Sequence, residues 1–243
     1  MELSLSVQAA IAVVVILLAG LVRGITGFGG AMVMAPSLSL VIHPVTAVVI
    51  ALALESAAAV TMLPQALRRV KWGVILPIGL MAVLTIPVGG WLLGTIDRDI
   101  ARRVIAGMVV LFAGLMALGW RYPGPTRLPV SLALGGLSGV LIGATSMGGP
   151  PVILYLLAGP DPIDQTRANL IVFITLLSAV GLAILAALGV ASWTDGAWCA
   201  ALAPLYLGAT IVGARLYGFF DERAFRRFTL IFMMVLSSAL LLM

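Results

Sequence analysis

The chain has little charge. Only 9% of its 243 residues are Asp, Glu, Lys or Arg, whereas an ordinary soluble domain carries about 25%, so a water-facing surface of the usual kind is excluded. With one cysteine and one histidine, a disulfide framework is excluded, as is a zinc or haem centre built from several such ligands, and no cofactor is expected. No polar stretch is long enough to fold as a soluble domain, and no nucleotide-binding motif is present. The first residues, Met1-Glu2-Leu3-Ser4, lack the positive start of a signal peptide, so the first apolar run is read as mature protein.

What is there is apolar: 62% of the residues are hydrophobic. Eight apolar segments approach the roughly 20 residues a bilayer demands: 4–42 (interrupted), 44–66, 72–96, 100–120, 128–159 (interrupted), 164–190, 195–219 and 224–243. The expected class is an all-α polytopic membrane protein of the bacterial inner membrane. The net charge of +5 sits in short clusters between the apolar runs, which fits topology signals and lipid headgroups rather than nucleic acid.

One stretch breaks the pattern. Gly24-Ile25-Thr26-Gly27-Phe28-Gly29-Gly30 interrupts the first apolar run, and a helix interior this rich in glycine survives at membrane depth only when buried in protein or lining a cavity. The stretch recurs. Laying Gly139–Val152 on Gly20–Val33 matches Gly20/Gly139, Gly24/Gly143, Thr26/Thr145, Gly29/Gly148, Gly30/Gly149 and Val33/Val152, six identities in fourteen positions. A second match, Gly89-x-x-Leu92-x-Gly94-x-x-Asp97-x-x-x-x-Arg102-Arg103 with Gly213-x-x-Leu216-x-Gly218-x-x-Asp221-x-x-x-x-Arg226-Arg227, follows in the same order. Together they indicate an internal duplication, with a first repeat over 1–120, a connecting loop over 121–127 and a second repeat over 128–243.

Loop charge bears on whether the interrupted segments are kinked spans or re-entrant hairpins. With simple spans the arginines divide without a clear bias. With two hairpins, Arg68, Arg69, Lys71, Arg121, Arg127, Arg167, Arg223, Arg226 and Arg227 share one side against Arg98, Arg102 and Arg103, and the positive-inside rule assigns the first group to the cytoplasm. Each repeat then holds an interrupted first segment plus three transmembrane helices and crosses the membrane an odd number of times. The two repeats are expected to be inverted, a common transporter plan.

The candidate substrate positions lie at the two breaks: Thr26, Gly27, Gly29 and Gly30 in the first, Thr145, Ser146, Gly148 and Gly149 in the second. Free N–H groups at the half-helices that follow, near Ala31 and Pro150, would attract an anion. The competing reading is close helix packing through small residues. Arg23, directly before the first break, could present its guanidinium to an oxyanion or pair with Glu55; its repeat partner is Ile142. Glu55 falls near the middle of the second segment, where a carboxyl is protonated or paired and is a candidate for carrying a coupling proton, against a purely structural role. Asn169 and Arg215 are weaker candidates, and Arg167 is read as a topology charge.

Gly-x-Gly-Gly after a small-residue helix, a proline a few residues on, and a second copy in the other half resemble the TauE/SafE family of sulfite exporters and their relatives. The family's third consecutive glycine is here Ala31 in the first copy and Pro150 in the second, and Ser146 opens the second motif in place of glycine. The resemblance implies a secondary transporter of a small anion such as sulfite or an organosulfonate, working by alternating access at a midplane site between the two breaks. The partners expected are the anion, the bilayer and protons as coupling ion. A structural subunit of a membrane complex is the alternative. An intramembrane enzyme would need a nucleophile with a base or a metal cluster, which this chain does not supply, and no enzymatic activity is expected.

Overall fold

The computed structural model describes residues 5–118, 127–156, 159 and 161–216. Every regular element among them is an α-helix. The first interrupted segment becomes α1 (Leu5–Thr26) and α2 (Gly30–Ser39), followed by α3 (Pro44–Ala57), α4 (Ala59–Ala66), α5 (Trp72–Thr95) and α6 (Arg98–Ala117). The second becomes α7 (Leu128–Thr145) and α8 (Gly149–Leu156), followed by α9 (Ile163–Ala187) and α10 (Trp193–Leu216). The expected last segment, 224–243, lies outside the described residues, as do Arg121, Arg223, Arg226 and Arg227.

Five of the described helices are each long and apolar enough to cross a bilayer, and α3 with α4 makes a sixth if taken as one span. The sequence reads 44–66 as unbroken, but the chain bends there by 52°. Pro64 inside α4 has no N–H to return to the Val60 carbonyl, which opens the ladder just after the bend. Leu76, Leu80, Leu84, Val88 and Trp91 of α5 are all exposed and recur at helical spacing. Such a stripe would be a liability in water and is a lipid-facing surface in a bilayer. The protein is a multi-pass membrane protein.

Glycines set the closest helix contacts. A methyl group at Gly20 would lie 2.7 Å from the Tyr206 carbonyl oxygen, one at Gly24 2.2 Å from that of Thr210, and one at Gly213 2.5 Å from that of Leu21, so α1 and α10 meet backbone to backbone. The duplicated positions make the same contacts between α7 and α5: Gly139 with the Ala82 carbonyl at 2.1 Å, Gly143 with that of Ile86 at 2.3 Å, and Gly89 with that of Val140 at 2.1 Å. The helix before each break is thus clamped to a long helix distant in sequence, α1 to α10 and α7 to α5, by the small-residue packing that holds helices together where lipid offers no hydrophobic drive.

The contacts also fix direction. Gly20 abuts residues 206–210 and Gly24 residues 210–214, so α1 runs the same way as α10, while Gly135, Gly139 and Gly143 meet Ile78, Ala82 and Ile86 in turn, so α7 runs with α5. From the first break α2 packs back along α1. At its end the Ser39 carbonyl accepts from Arg102 Nε at 2.9 Å, so Arg102, counted in the sequence as a loop charge, also closes a helix C-terminus. After the second break α8 returns along α7, bringing the Tyr155 hydroxyl within 2.9 Å of Ser131 Oγ, one turn into α7.

These joints predict a sharp contrast. Gly139→Ala and Gly24→Ala drive a methyl into a neighbouring carbonyl and are expected to destabilise by about 1–3 kcal/mol. Gly79→Ala and Gly107→Ala enter open space and are expected to be neutral or slightly stabilising. Thermal unfolding of the purified variants in detergent measures the difference; equal effects at the two kinds of site would refute the packing account.

Candidate functional site

At the first break, α1 ends when Thr26 Oγ1 donates to the Val22 carbonyl at 2.8 Å and accepts from the Phe28 N–H at 3.2 Å. Gly27 and Gly29 then take left-handed backbone, with φ of 81° and 88°, a region that glycine enters freely. This reverses the chain into α2, whose Ala31 N–H points at a side chain packed beneath. Arg23, fully buried, lies under the turn and donates from Nη1 to the Gly27 carbonyl at 2.8 Å and from Nη2 to Thr175 Oγ1 of α9 at 2.9 Å. Glu55, 1% exposed, brings Oε1 to the Ala31 N–H at 3.0 Å and to the Tyr206 hydroxyl at 3.1 Å. Its Oε2 faces Arg23 Nε at 3.1 Å, an ion pair whose two atoms lie off the axis of a hydrogen bond.

The α2 N-terminus therefore already holds an anion, the Glu55 carboxylate, where the helix dipole and free donors favour negative charge. There is no spare room. A methyl at Gly30 would lie 2.4 Å from Glu55 Oε1 and 2.5 Å from the Tyr206 hydroxyl.

The second break repeats the backbone and discards the charge. Thr145 Oγ1 donates to the Leu141 carbonyl at 2.8 Å and accepts from the Met147 N–H at 3.3 Å, and Ser146 takes the left-handed conformation of Gly27 with φ of 61°. The positions equivalent to Arg23 and Glu55 are Ile142 and Ile174. Both stand in the corresponding places: Ile142 Cγ1 lies 2.1 Å from where a methyl on Gly148 would sit, and Ile174 Cδ1 lies 3.0 Å from one on Gly149. Pro150 and Pro151 follow Gly149 and bring no N–H to the first turn of α8. One break is an occupied anion seat, and the other is dry.

A cavity of about 550 Å³ opens beside the first break. Arg68 and Arg69 at the α4–α5 turn, Arg167 of α9 and Arg215 near the end of α10 line it, against the single carboxylate of Asp164, which sits 3.8 Å from Arg69. Arg167 forms its floor toward the break, with Nη2 donating to the Gly24 carbonyl at 2.8 Å and its stem packed on Gly27. A second cavity of about 490 Å³ lies at the opposite end of α5, α9 and α10, with His43 and Asp195 as its ionisable groups. Among the described residues no three His, Cys, Asp or Glu converge in a way that could hold a metal.

The structure brings together Arg23, Gly27, Gly30 and Glu55, and sets Arg215 in the cavity beyond them. The hydroxyls of Thr26, Thr145 and Ser146 are engaged with nearby backbone, the last with the Thr145 carbonyl at 2.6 Å, and they shape the breaks. Asn169 lies apart, its Oδ1 accepting from the Lys71 N–H at 2.8 Å, where with the Lys71–Asp161 ion pair it ties the α4–α5 turn to α9. Sequence reasoning missed Tyr206 and Thr175, whose only signal was a hydroxyl within an apolar run.

The family model of sulfite exporter TauE/SafE matches residues 12–240, nearly the whole chain. The chain belongs to the TauE/SafE family. Comparison with curated proteins and with solved structures finds no match. TauE/SafE proteins export sulfite and related sulfur anions, so the buried guanidinium and the arginine-lined cavity belong to a membrane transport protein of an anion-exporting family.

The dry break supplies a control for the charged one. In this TauE/SafE chain Glu55→Ile leaves Arg23 buried without its counter-charge and is expected to cost about 3–5 kcal/mol, whereas Arg23→Ile with Glu55→Ile, which copies Ile142 and Ile174, is expected to recover most of that loss. Unfolding of the wild type, both single variants and the double variant closes the cycle. A double variant no more stable than the weaker single one would show that the pair holds the bundle together in its own right.

Proposed function

We propose that the protein is a secondary transporter that moves a small oxyanion, sulfite or an organosulfonate, across the bacterial inner membrane. The observation that carries this reading is the fully buried Arg23 guanidinium at the start of a half-helix, next to an arginine-lined cavity open at one end of the bundle. A planar guanidinium, the Ala31 N–H and the Tyr206 hydroxyl match the oxygens of a sulfonate or sulfite, and arginines along the approach concentrate anions by their field.

Two repeats of inverted orientation are part of the proposal. Its supports are the clamped pairs α1 with α10 and α7 with α5, and the two breaks approached from opposite ends of the bundle. Arg68, Arg69, Lys71, Arg127, Arg167 and Arg215 lie toward the end with the larger cavity, and Arg98, Arg102 and Arg103 toward the other, so the positive-inside rule turns that cavity to the cytoplasm. Substrate would load from the cytoplasm through Arg167, reach Arg23 and leave past the cavity of His43 and Asp195 as the two halves rock. Glu55 is the candidate for a coupling proton.

Protein purified alone and placed in liposomes is expected to take up labelled sulfite without any partner. Arg167→Gln should slow uptake about tenfold, corresponding to about 1.4 kcal/mol at the floor of the cavity, and exposed Arg215→Gln should do less because solvent screens it. In cells, with Cys199 replaced, single cysteines at exposed His43 and at exposed Thr194, beside Asp195, should label from outside and one at Arg69 only after permeabilisation. Labelling of all three from the same face would sink the orientation, and absence of uptake from liposomes would leave the structural-subunit reading.

A further inference from the structure

We propose that the Glu55 carboxylate is a tethered stand-in for the transported anion: substrate and carboxylate alternate in one seat, and Glu55 leaves that seat as the neutral acid, so each anion bound takes up one proton. This rests on the anion-transport reading above and gives its coupling a physical cause.

The seat is defined by three donors that converge on one carboxylate: the Ala31 N–H, the Tyr206 hydroxyl and the Arg23 guanidinium. The second break shows that the same fold closes with Ile142 and Ile174 in these places, so closing the break does not by itself require a carboxylate at the first turn of α2. The carboxylate also fits incompletely. Oε1 takes two donors, while Oε2 and Arg23 Nε, both buried, meet at 3.1 Å without completing a hydrogen bond. A sulfonate or hydrogensulfite has three oxygens and can meet all three donors at once.

Charge selects among anions. With Arg23 cationic and Glu55 ionised the buried site is neutral. Exchange of the carboxylate for a singly charged anion, with a proton passing from water to a Glu55 oxygen, keeps it neutral: the Glu55–Arg23 ion pair breaks and an anion–Arg23 ion pair replaces it. A dianion would leave one uncompensated charge in a low-dielectric interior, which is costly. The expected substrate is therefore a monoanionic sulfur oxyanion.

The groups that face Glu55 are few. Arg23 comes from α1 and Tyr206 from α10; α9 contributes Thr175 through Arg23, with Arg167 on the far side of Gly27; α2 contributes backbone N–H only, and α3 has no other ionisable residue. None of them besides Glu55 is suited to take up a proton from neutral solution.

The test uses the full-length protein in detergent and methanesulfonate as probe, because it keeps one charge through the neutral range, with sulfite as a second ligand. Calorimetry in buffers of different ionisation enthalpy counts protons. The wild type is expected to take up about one proton per methanesulfonate bound and to lose affinity about tenfold per pH unit on the alkaline side; Glu55→Gln is expected to bind with no uptake and no pH slope. If Glu55→Gln does not fold, Glu55→Asp, whose shorter arm draws back from Ala31, should keep the proton uptake and bind several-fold more tightly at the same pH. Wild-type binding without proton uptake overturns the exchange and leaves anion transport standing. A pH slope that persists in Glu55→Gln, or unchanged affinity in Glu55→Asp, overturns the part given to Glu55. Failure of both ligands to bind at any pH overturns the anion reading itself.

Discussion

An arginine and a glutamate buried side by side in an apolar bundle are tolerable only if each is neutralised and hydrogen-bonded, because neither water nor lipid is there to do it. Arg23 and Glu55 meet that condition by drawing on most of the architecture: the Gly27 carbonyl of the break, the first turn of α2, Thr175 of α9 and Tyr206 of α10. Moving any one of these elements leaves a polar atom without a partner. The pair therefore ties the break, the two long helices beside it and the bent α3 into one arrangement.

That arrangement is reached because the helices approach so closely. Tyr206 can place its hydroxyl beside Glu55 only because α10 lies against α1 at backbone distance, and Gly20, Gly24 and Gly213 permit it. The other half uses the same joints, Gly139, Gly143 and Gly89, to hold α7 on α5. The scaffold is thus shared between the halves while the chemistry is not. Two matching breaks carry one charged seat and one apolar counterpart, and the difference resides in two side chains per break and in the prolines that open α8.

Much of this frame could be read from the residues in order. Apolar runs of bilayer length place the helices to within a few residues, and the runs of glycine place both breaks, because in lipid the backbone has few other options. Arg23 and Glu55 stand out as charges inside those runs. Their partners do not. Tyr206 and Thr175 look apolar or neutral in a hydropathy profile, and which face of α10 or α9 turns inward depends on packing that no local pattern encodes. The matched glycines divide: Gly24, read from the sequence as opening the first break, lies with Gly20, Gly139 and Gly143 inside the helices that precede the breaks, where all four are contact points. Likewise Arg68, Arg69 and Arg167 carry the same signature whether they set topology or line a cavity, and the structure places them on a cavity.

The bend between α3 and α4 has a mechanical meaning. Glu55 stands three residues before Ala58, on one arm of the bend, and Thr61, Met62, Gln65 and Arg68 on the other arm form a wall of the cavity. In the proposed exchange the two arms would work as a bell crank pivoted at Ala58: lifting the carboxylate from its donors would swing the cavity wall, because one piece of chain carries both.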